Sequence, residues 1–190
     1  MRFSQCQFAY KKNYKHNQTL LEMSKITTID QAICQKVYAI RTIRLTQIMK
    51  IITVFGEQGL FALVATGSII LVQNGHKSIG LHWLLMVVVG IIGNFVLKSI
   101  FRRNRPSTSP LIHEPFWSFP SGHATSSTVG YGYGIVIAKE LMQNIAGQNL
   151  VIGGLLGLIV VICFSRVYLG VHYPSDVIAG VICGMLLLQF

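Results

Sequence analysis

The sequence predicts an all-α, membrane-embedded bundle of about five transmembrane helices, with a polar site at helix ends on one membrane face. Three observations predict it. Of 190 residues, 52% are hydrophobic and only 12% charged, about half the charge fraction of an ordinary soluble domain. From Ile51 onward, apolar stretches long enough to span a bilayer follow one another with short connectors. The ionisable residues of that part gather at the ends of the stretches rather than along them.

Residues 1–50 read as a basic tail. They carry nine of the sixteen Lys and Arg, with only Glu22 and Asp30 as acids. They contain no continuous apolar stretch of the roughly 7–15 residues that a secretory signal needs, so none is expected. Ile29, Ile33, Val37 and Ile40 recur at helical spacing, which fits a short amphipathic helix lying on the bilayer; a loosely ordered tail is the other reading. The net charge of +10 favours anionic partners: phosphates, acidic lipid headgroups or nucleic acid. Composition does not choose among them. Cys6, Cys34, Cys163 and Cys183 are far apart with no Cys-x-x-Cys spacing and read as free, buried thiols.

Residues 51–190 form the transmembrane domain. A bilayer core of ~30 Å needs ~20 helical residues, and the candidate spans are 51–74, 80–101, 122–142, 149–169 and 175–190. The connector "NGHKS" at 74–78 fits antiparallel neighbours, and Gly153, Gly154 and Gly157 permit close helix packing in lipid. The last span is short.

Three polar clusters interrupt the pattern. In "LKSIFRRNRP", Lys98 and Arg105 are seven residues apart, so two helical turns place them on nearly the same face. Pro106 disfavours helix at Arg105, which predicts the end of the span there. These cations with Arg102 and Arg103 also fit a helix end anchored among headgroups. In "WSFPSGHATS", Ser121 can cap the following helix and Gly122 lets backbone approach a ligand. Free amides at that helix start attract an anion, and His123 projects into the same space. By itself the turn also fits a simple capped helix start. In "SRVYLGVHYPSD", Pro174 suits the first turn of a helix, with His172 just before it and Asp176 about one turn along. A carboxylate on one imidazole nitrogen would leave the other free as a nucleophile. Such a pair also occurs structurally, but Arg166 ends one apolar span and Asp176 lies inside another, and ionisable side chains at such positions are expensive.

Taken together, the clusters read Lys, six residues, Arg-Pro; then Pro-Ser-Gly-His; then Ser-Arg, five residues, His, three residues, Asp. This pattern resembles that of the type 2 phosphatidic acid phosphatase superfamily, the lipid phosphate phosphatases related to vanadium haloperoxidases. It is met by Lys98, Arg105, Pro106, Pro120, Ser121, Gly122, His123, Ser165, Arg166, His172 and Asp176. One departure stands out. Bacterial integral-membrane members commonly have six spans, and the first has no counterpart here.

The resemblance implies a membrane lipid phosphatase. Lys98, Arg105 and Arg166 would hold the phosphate with Ser121 and Gly122; His172 would attack phosphorus to form a phosphohistidine, oriented by Asp176; His123 would protonate the leaving oxygen. It implies no metal and no cofactor. The partners are the lipid bilayer and a lipid phosphate rather than nucleic acid. Undecaprenyl pyrophosphate is the preferred substrate, with phosphatidylglycerophosphate and phosphatidic acid as alternatives, and an inactive lipid-binding membrane protein as the non-enzymatic reading. His113, Glu114, His123, His172 and Asp176 could instead ligate a metal, yet the neighbouring Arg and Lys repel a divalent cation and favour an anion. The resemblance also places the site of this multi-pass cell-membrane protein on the extracytoplasmic face. A basic tail on that same face conflicts with the positive-inside tendency.

Overall fold

The computed structural model describes residues 26–189; residues 1–25 of the basic tail, Cys6 among them, and Phe190 lie outside the described residues. All regular structure among the described residues is helical. We label as α1 the helical residues 26–39, followed by α2 (Ile43–Val54), α3 (Gln58–Gln73), α4 (Lys77–Phe101), α5 (Gly122–Leu141), α6 (Ile145–Tyr168) and α7 (Pro174–Leu187).

By length and apolarity alone, three segments among the described residues can cross a membrane: Ile43–Gln73, Lys77–Phe101 and Ile145–Tyr168. The first starts before the expected Ile51, because the Thr42 side chain accepts the Leu45 amide at 3.2 Å and caps a helix there. It is broken at residues 55–57. The carbonyl of Phe55, freed by the break, accepts the Tyr131 hydroxyl at 2.6 Å, as backbone within a bilayer requires. The expected spans at 122–142 and 175–190 correspond to α5 and the 14-residue α7. The count of five is therefore approximate.

Helix α5 is the centre of the bundle, packed on α4, α6 and α7. Its Thr125, Ser126, Ser127, Thr128, Gly130 and Gly132 are all buried, which explains an apolar character diluted by hydroxyls. Two of those hydroxyls are satisfied within the helix, Thr125 donating to Ser121 O at 3.0 Å and Ser127 to His123 O at 2.6 Å, whereas Thr128 Oγ1 is buried without a partner. Small residues let backbones approach. A Cβ on Gly180 of α7 would lie 2.6 Å from Ser121 O, and one on Gly184 2.6 Å from Thr128 Cβ. Leu60, Val64, Trp83, Val87, Val129 and Ile162 fill the core between α3, α4, α5 and α6. Ile69, Leu85, Ile92, Leu156 and Ile182 point outward, as lipid-facing side chains do.

Helix α1 has two faces. Asp30 and Cys34 are 2% and 3% exposed and turned inward, with Val37 and Tyr38 packed alongside Cys34; Ile29, Ile33 and Ile40 face outward. Of the described cysteines, which are free, Cys34 is buried and Cys163 and Cys183 are half-buried.

Candidate active site

The site is assembled from helix ends. Helix α4 stops at Phe101, because Arg102 takes a left-handed conformation (φ 45°) and turns the chain. Lys98 is therefore in the last turn while Arg105 lies beyond the helix, so the two cations do not meet on one helix face as the sequence predicts. They meet through the chain reversal. Lys98 Nζ donates to Trp117 O at 2.6 Å; Arg105 donates to Phe116 O at 3.0 Å, Pro115 O at 2.9 Å and Val171 O at 2.8 Å. The segment 115–117 is thereby folded over the end of α4.

Helix α5 opens as its sequence predicts. The Ser121 side chain, fully buried, accepts the Ala124 amide at 3.5 Å. The Asn94 side-chain amide donates to Thr125 Oγ1 at 3.1 Å and Pro120 O at 3.4 Å, which fixes this turn against α4. At the start of α7, Asp176 Oδ2 accepts the Tyr173 amide at 2.9 Å in a capping box. The same oxygen lies 3.6 Å from His172 Nδ1, which has no hydrogen-bond partner. The expected pairing of carboxylate and ring is thus an approach rather than a formed hydrogen bond, because the capping amide has first claim on that oxygen.

A cavity of about 310 Å³ joins Lys98, Arg105, Gly122, His123 and His172. Its other wall is apolar, built from Phe61, Ile91, Phe95 and Phe116. Arg105 Nη1 lies 3.2 Å from His172 Nε2. A guanidinium only donates, so this nitrogen accepts, and the ring proton sits on Nδ1 toward Asp176. Burial, then the charges of Arg166, Arg105 and Lys98, hold the His172 pKa well below its usual 6.5. The imidazole is neutral at physiological pH, and its Nε2 lone pair accepts from Arg105 at the cavity wall.

Three members of the expected set stand back from the cavity. Asp176 is fully buried behind His172, and Ser121 lies beneath the turn. Arg166, also fully buried, is covered by Glu114; its guanidinium donates to Glu114 Oε1 and Thr53 Oγ1, while its Nε has no partner. Glu114 and Glu57 bring two carboxylates into the cavity wall. Glu57, from the break between α2 and α3, sets Oε2 3.4 Å from His123 Nε2. As an acceptor it favours the proton on that nitrogen. His113 is exposed, and among the described residues no group of three or more His, Cys, Asp or Glu side chains is arranged to hold a metal ion.

The pattern of the PAP2 superfamily matches residues 79–190. The chain belongs to the PAP2 superfamily. Among PAP2 proteins, it is 31% identical over 174 residues to phosphatidylglycerophosphatase B of Bacillus subtilis (strain 168), covering 88% of this chain and 83% of that protein. It is 28% identical over 148 residues to an undecaprenyl-diphosphatase of Sulfolobus acidocaldarius, covering 74% of this chain and 66% of the relative. The crystal structure of a transmembrane PAP2 type phosphatidylglycerolphosphate phosphatase from Bacillus subtilis superposes with a TM-score of 0.75 at 31% identity, covering 87% of this chain and 83% of that one. These relatives are phosphatases of lipid phosphates, and the membrane-helical fold is that of PAP2 enzymes. Sequence reasoning missed Glu57 and Asn94 in the cavity wall and Thr53 as a partner of Arg166. Glu57 carries the one signal that could have found it: an acid inside an apolar stretch.

Proposed function

We propose that this chain is a multi-pass lipid phosphatase that works through a phosphohistidine on His172 without a metal. The neutral His172 ring, with Nε2 accepting from Arg105 at a cavity that Lys98 and Arg105 line beside an apolar wall, supports this reading above all. His172 Nε2 attacks phosphorus and the bond to the leaving oxygen breaks. His123, protonated on both nitrogens when it acts, delivers its Nε2 proton to that oxygen and becomes neutral; the same Nε2 then takes a proton from the water that cleaves the phosphorus–nitrogen bond and frees His172. Lys98, Arg105 and Arg166 meet the phosphate charge, which spreads in the transition state. Ser121 and Gly122 shape the helix start beneath it, and Asp176 stabilises the ring as it becomes positive.

The preferred substrate is undecaprenyl pyrophosphate. Phosphatidylglycerophosphate is the second reading, favoured by the 31% identity over 88% of the chain with a phosphatidylglycerophosphatase. The apolar wall suits the lipid part of either. The site faces away from the cytoplasm. The tail charges weigh less against this than their number suggests, since Arg41 is engaged in capping α6, donating to Tyr168 O at 2.9 and 2.7 Å and to Ser109 O at 2.9 Å.

The test is a purified-protein assay over undecaprenyl pyrophosphate, phosphatidylglycerophosphate, phosphatidic acid and p-nitrophenyl phosphate. His172→Ala abolishes turnover and the acid-labile phosphoenzyme. His123→Ala loses ~10²–10⁴-fold on lipids with poor leaving groups, and far less on p-nitrophenyl phosphate. Equal losses on all four would remove the proton-donor role from His123.

A further inference from the structure

Behind His172, Asp176 belongs to a polar cluster whose other members, Arg103, Asp30 and Ser175, the proposed chemistry does not use. Arg103 Nη1 donates to Asp176 Oδ1 at 2.6 Å and its Nη2 to Asp30 Oδ2 at 2.7 Å. Asp30 comes from α1, and its Oδ1 accepts the Ser175 amide at 3.0 Å while Oδ2 accepts the Ser175 hydroxyl. Arg103 Nη1 also donates to Ser175 Oγ at 2.7 Å, and the guanidinium lies 4.3 Å from the Tyr173 ring centre. The carboxylate side chains of Asp30 and Asp176 are 3% and 0% exposed. Buried ions persist only when paired and hydrogen-bonded, and each carboxylate here has several donors. Burial works against the Arg103 charge, but the two carboxylates outweigh it and hold its pKa above the ordinary value.

The arrangement joins three parts of the chain remote in sequence: α1, the segment after α4, and the start of α7. Asp176 reaches His172 with one oxygen only, at 3.6 Å; the other is fixed by Arg103. Charge matters as well as position. Arg103 and Asp176 alone would be neutral, and the negative charge that steadies a developing imidazolium would be spent on the guanidinium. Asp30 supplies a second carboxylate, so the three groups together keep one net negative charge beside His172.

We propose that Arg103 and Asp30 are positioning residues for the reaction, and that docking of α1 completes the Asp176–His172 pair. This rests on His172 being the nucleophile. α1 is then a working part of the site, although it precedes every segment that matches the PAP2 pattern.

The experiment compares Asp30→Asn, Arg103→Met, Arg103→Lys, Cys34→Ala and His172→Ala in the full chain, purified in detergent. It measures kcat and KM on the fastest lipid of the panel above and on p-nitrophenyl phosphate, with melting temperature recorded for each. Asp30→Asn and Arg103→Met are expected to lower kcat about 10- to 100-fold, the usual effect of losing a partner that orients a reacting group. KM stays within about twofold, because Lys98, Arg105 and Arg166 make none of these contacts. Arg103→Lys restores part of kcat. Cys34→Ala trims the inward face of α1 outside the cluster, leaves α1 docked through the Asp30 contacts, and keeps kcat. An inactive His172→Ala beside unchanged kcat in Asp30→Asn and Arg103→Met would overturn the inference and leave the nucleophile in place. A KM effect alone, or an equal kcat loss in Cys34→Ala, would reduce the cluster to binding or to packing and also overturn it. Turnover surviving in His172→Ala would overturn the nucleophile, and this inference with it.

Discussion

Glu114→Gln separates the two partners of Arg166. That guanidinium is fully buried, and Glu114, 21% exposed, is the carboxylate that pairs with it. Gln keeps an acceptor in nearly the same place, so the change removes charge and little volume. A hydrogen bond to a charged group contributes about 1.5–3 kcal/mol; with Glu114 partly wet and the Thr53 contact retained, the lower end applies, about 1.5–2 kcal/mol. For a chain of this size that lowers Tm by about 3–8 °C. The same change should strengthen anion binding, since Glu114 occupies the guanidinium that a phosphate needs. If the freed energy goes wholly to the anion, vanadate binds about 10- to 30-fold more tightly. The assay is thermal unfolding in detergent with a vanadate titration. A lowered Tm with unchanged vanadate affinity would show that the anion never reaches Arg166, and would remove that residue from the phosphate site.

Three further outcomes are expected. The His172 pKa is depressed below 6.5, so the unfolded chain binds that proton first as the pH falls. Stability from this group is present above about pH 6.5 and is lost below it; Tm should therefore fall more gently on acidification in His172→Gln than in the wild type, and equal slopes would refute the buried neutral ring. Hydrolysis should persist in excess EDTA because the phosphate charge is met by side chains; complete loss restored by magnesium or zinc would refute the mechanism. For orientation, His76→Cys in a background lacking the four native cysteines should react with a membrane-impermeant maleimide only after lysis. Labelling of intact cells would place the site on the cytoplasmic face. His76 is preferable to Gly75, whose φ of 87° disfavours a side chain.

The gathering of Lys98, Arg105, His123 and His172 around one cavity is legible in sequence because each lies at or just beyond a helix end, where a local signal such as Pro106, Ser121 or Pro174 marks the boundary. The route by which Lys98 and Arg105 converge was not legible, since the left-handed turn at Arg102 is taken by a residue with no special preference for it. Helix α5 is less apolar than the other spans, because it buries hydroxyls of which those of Thr125 and Ser127 bond to carbonyls at its start, a local satisfaction that hydropathy ignores. Asp30 gives no sequence sign of its role: its partner Ser175 is 145 residues away, and such pairing exists only after the bundle has formed. Glu114 could be read only as a metal ligand or a surface acid until Arg166 was found beneath it.

The amide of Ser121 donates to the carbonyl of Asp176 at 2.9 Å, and the bare Gly180 allows that contact. In the proposed reaction, attack and protonation thus fall to histidines beside two helix starts that are tied to each other through main chain. The distance between the histidines is a property of the backbone. Side chains lining the apolar wall can therefore be exchanged to suit another lipid without retiming the proton transfer. A single methyl at position 180 has the opposite effect: it would prise the two helix starts apart and uncouple bond breaking from proton delivery while leaving every catalytic side chain in place.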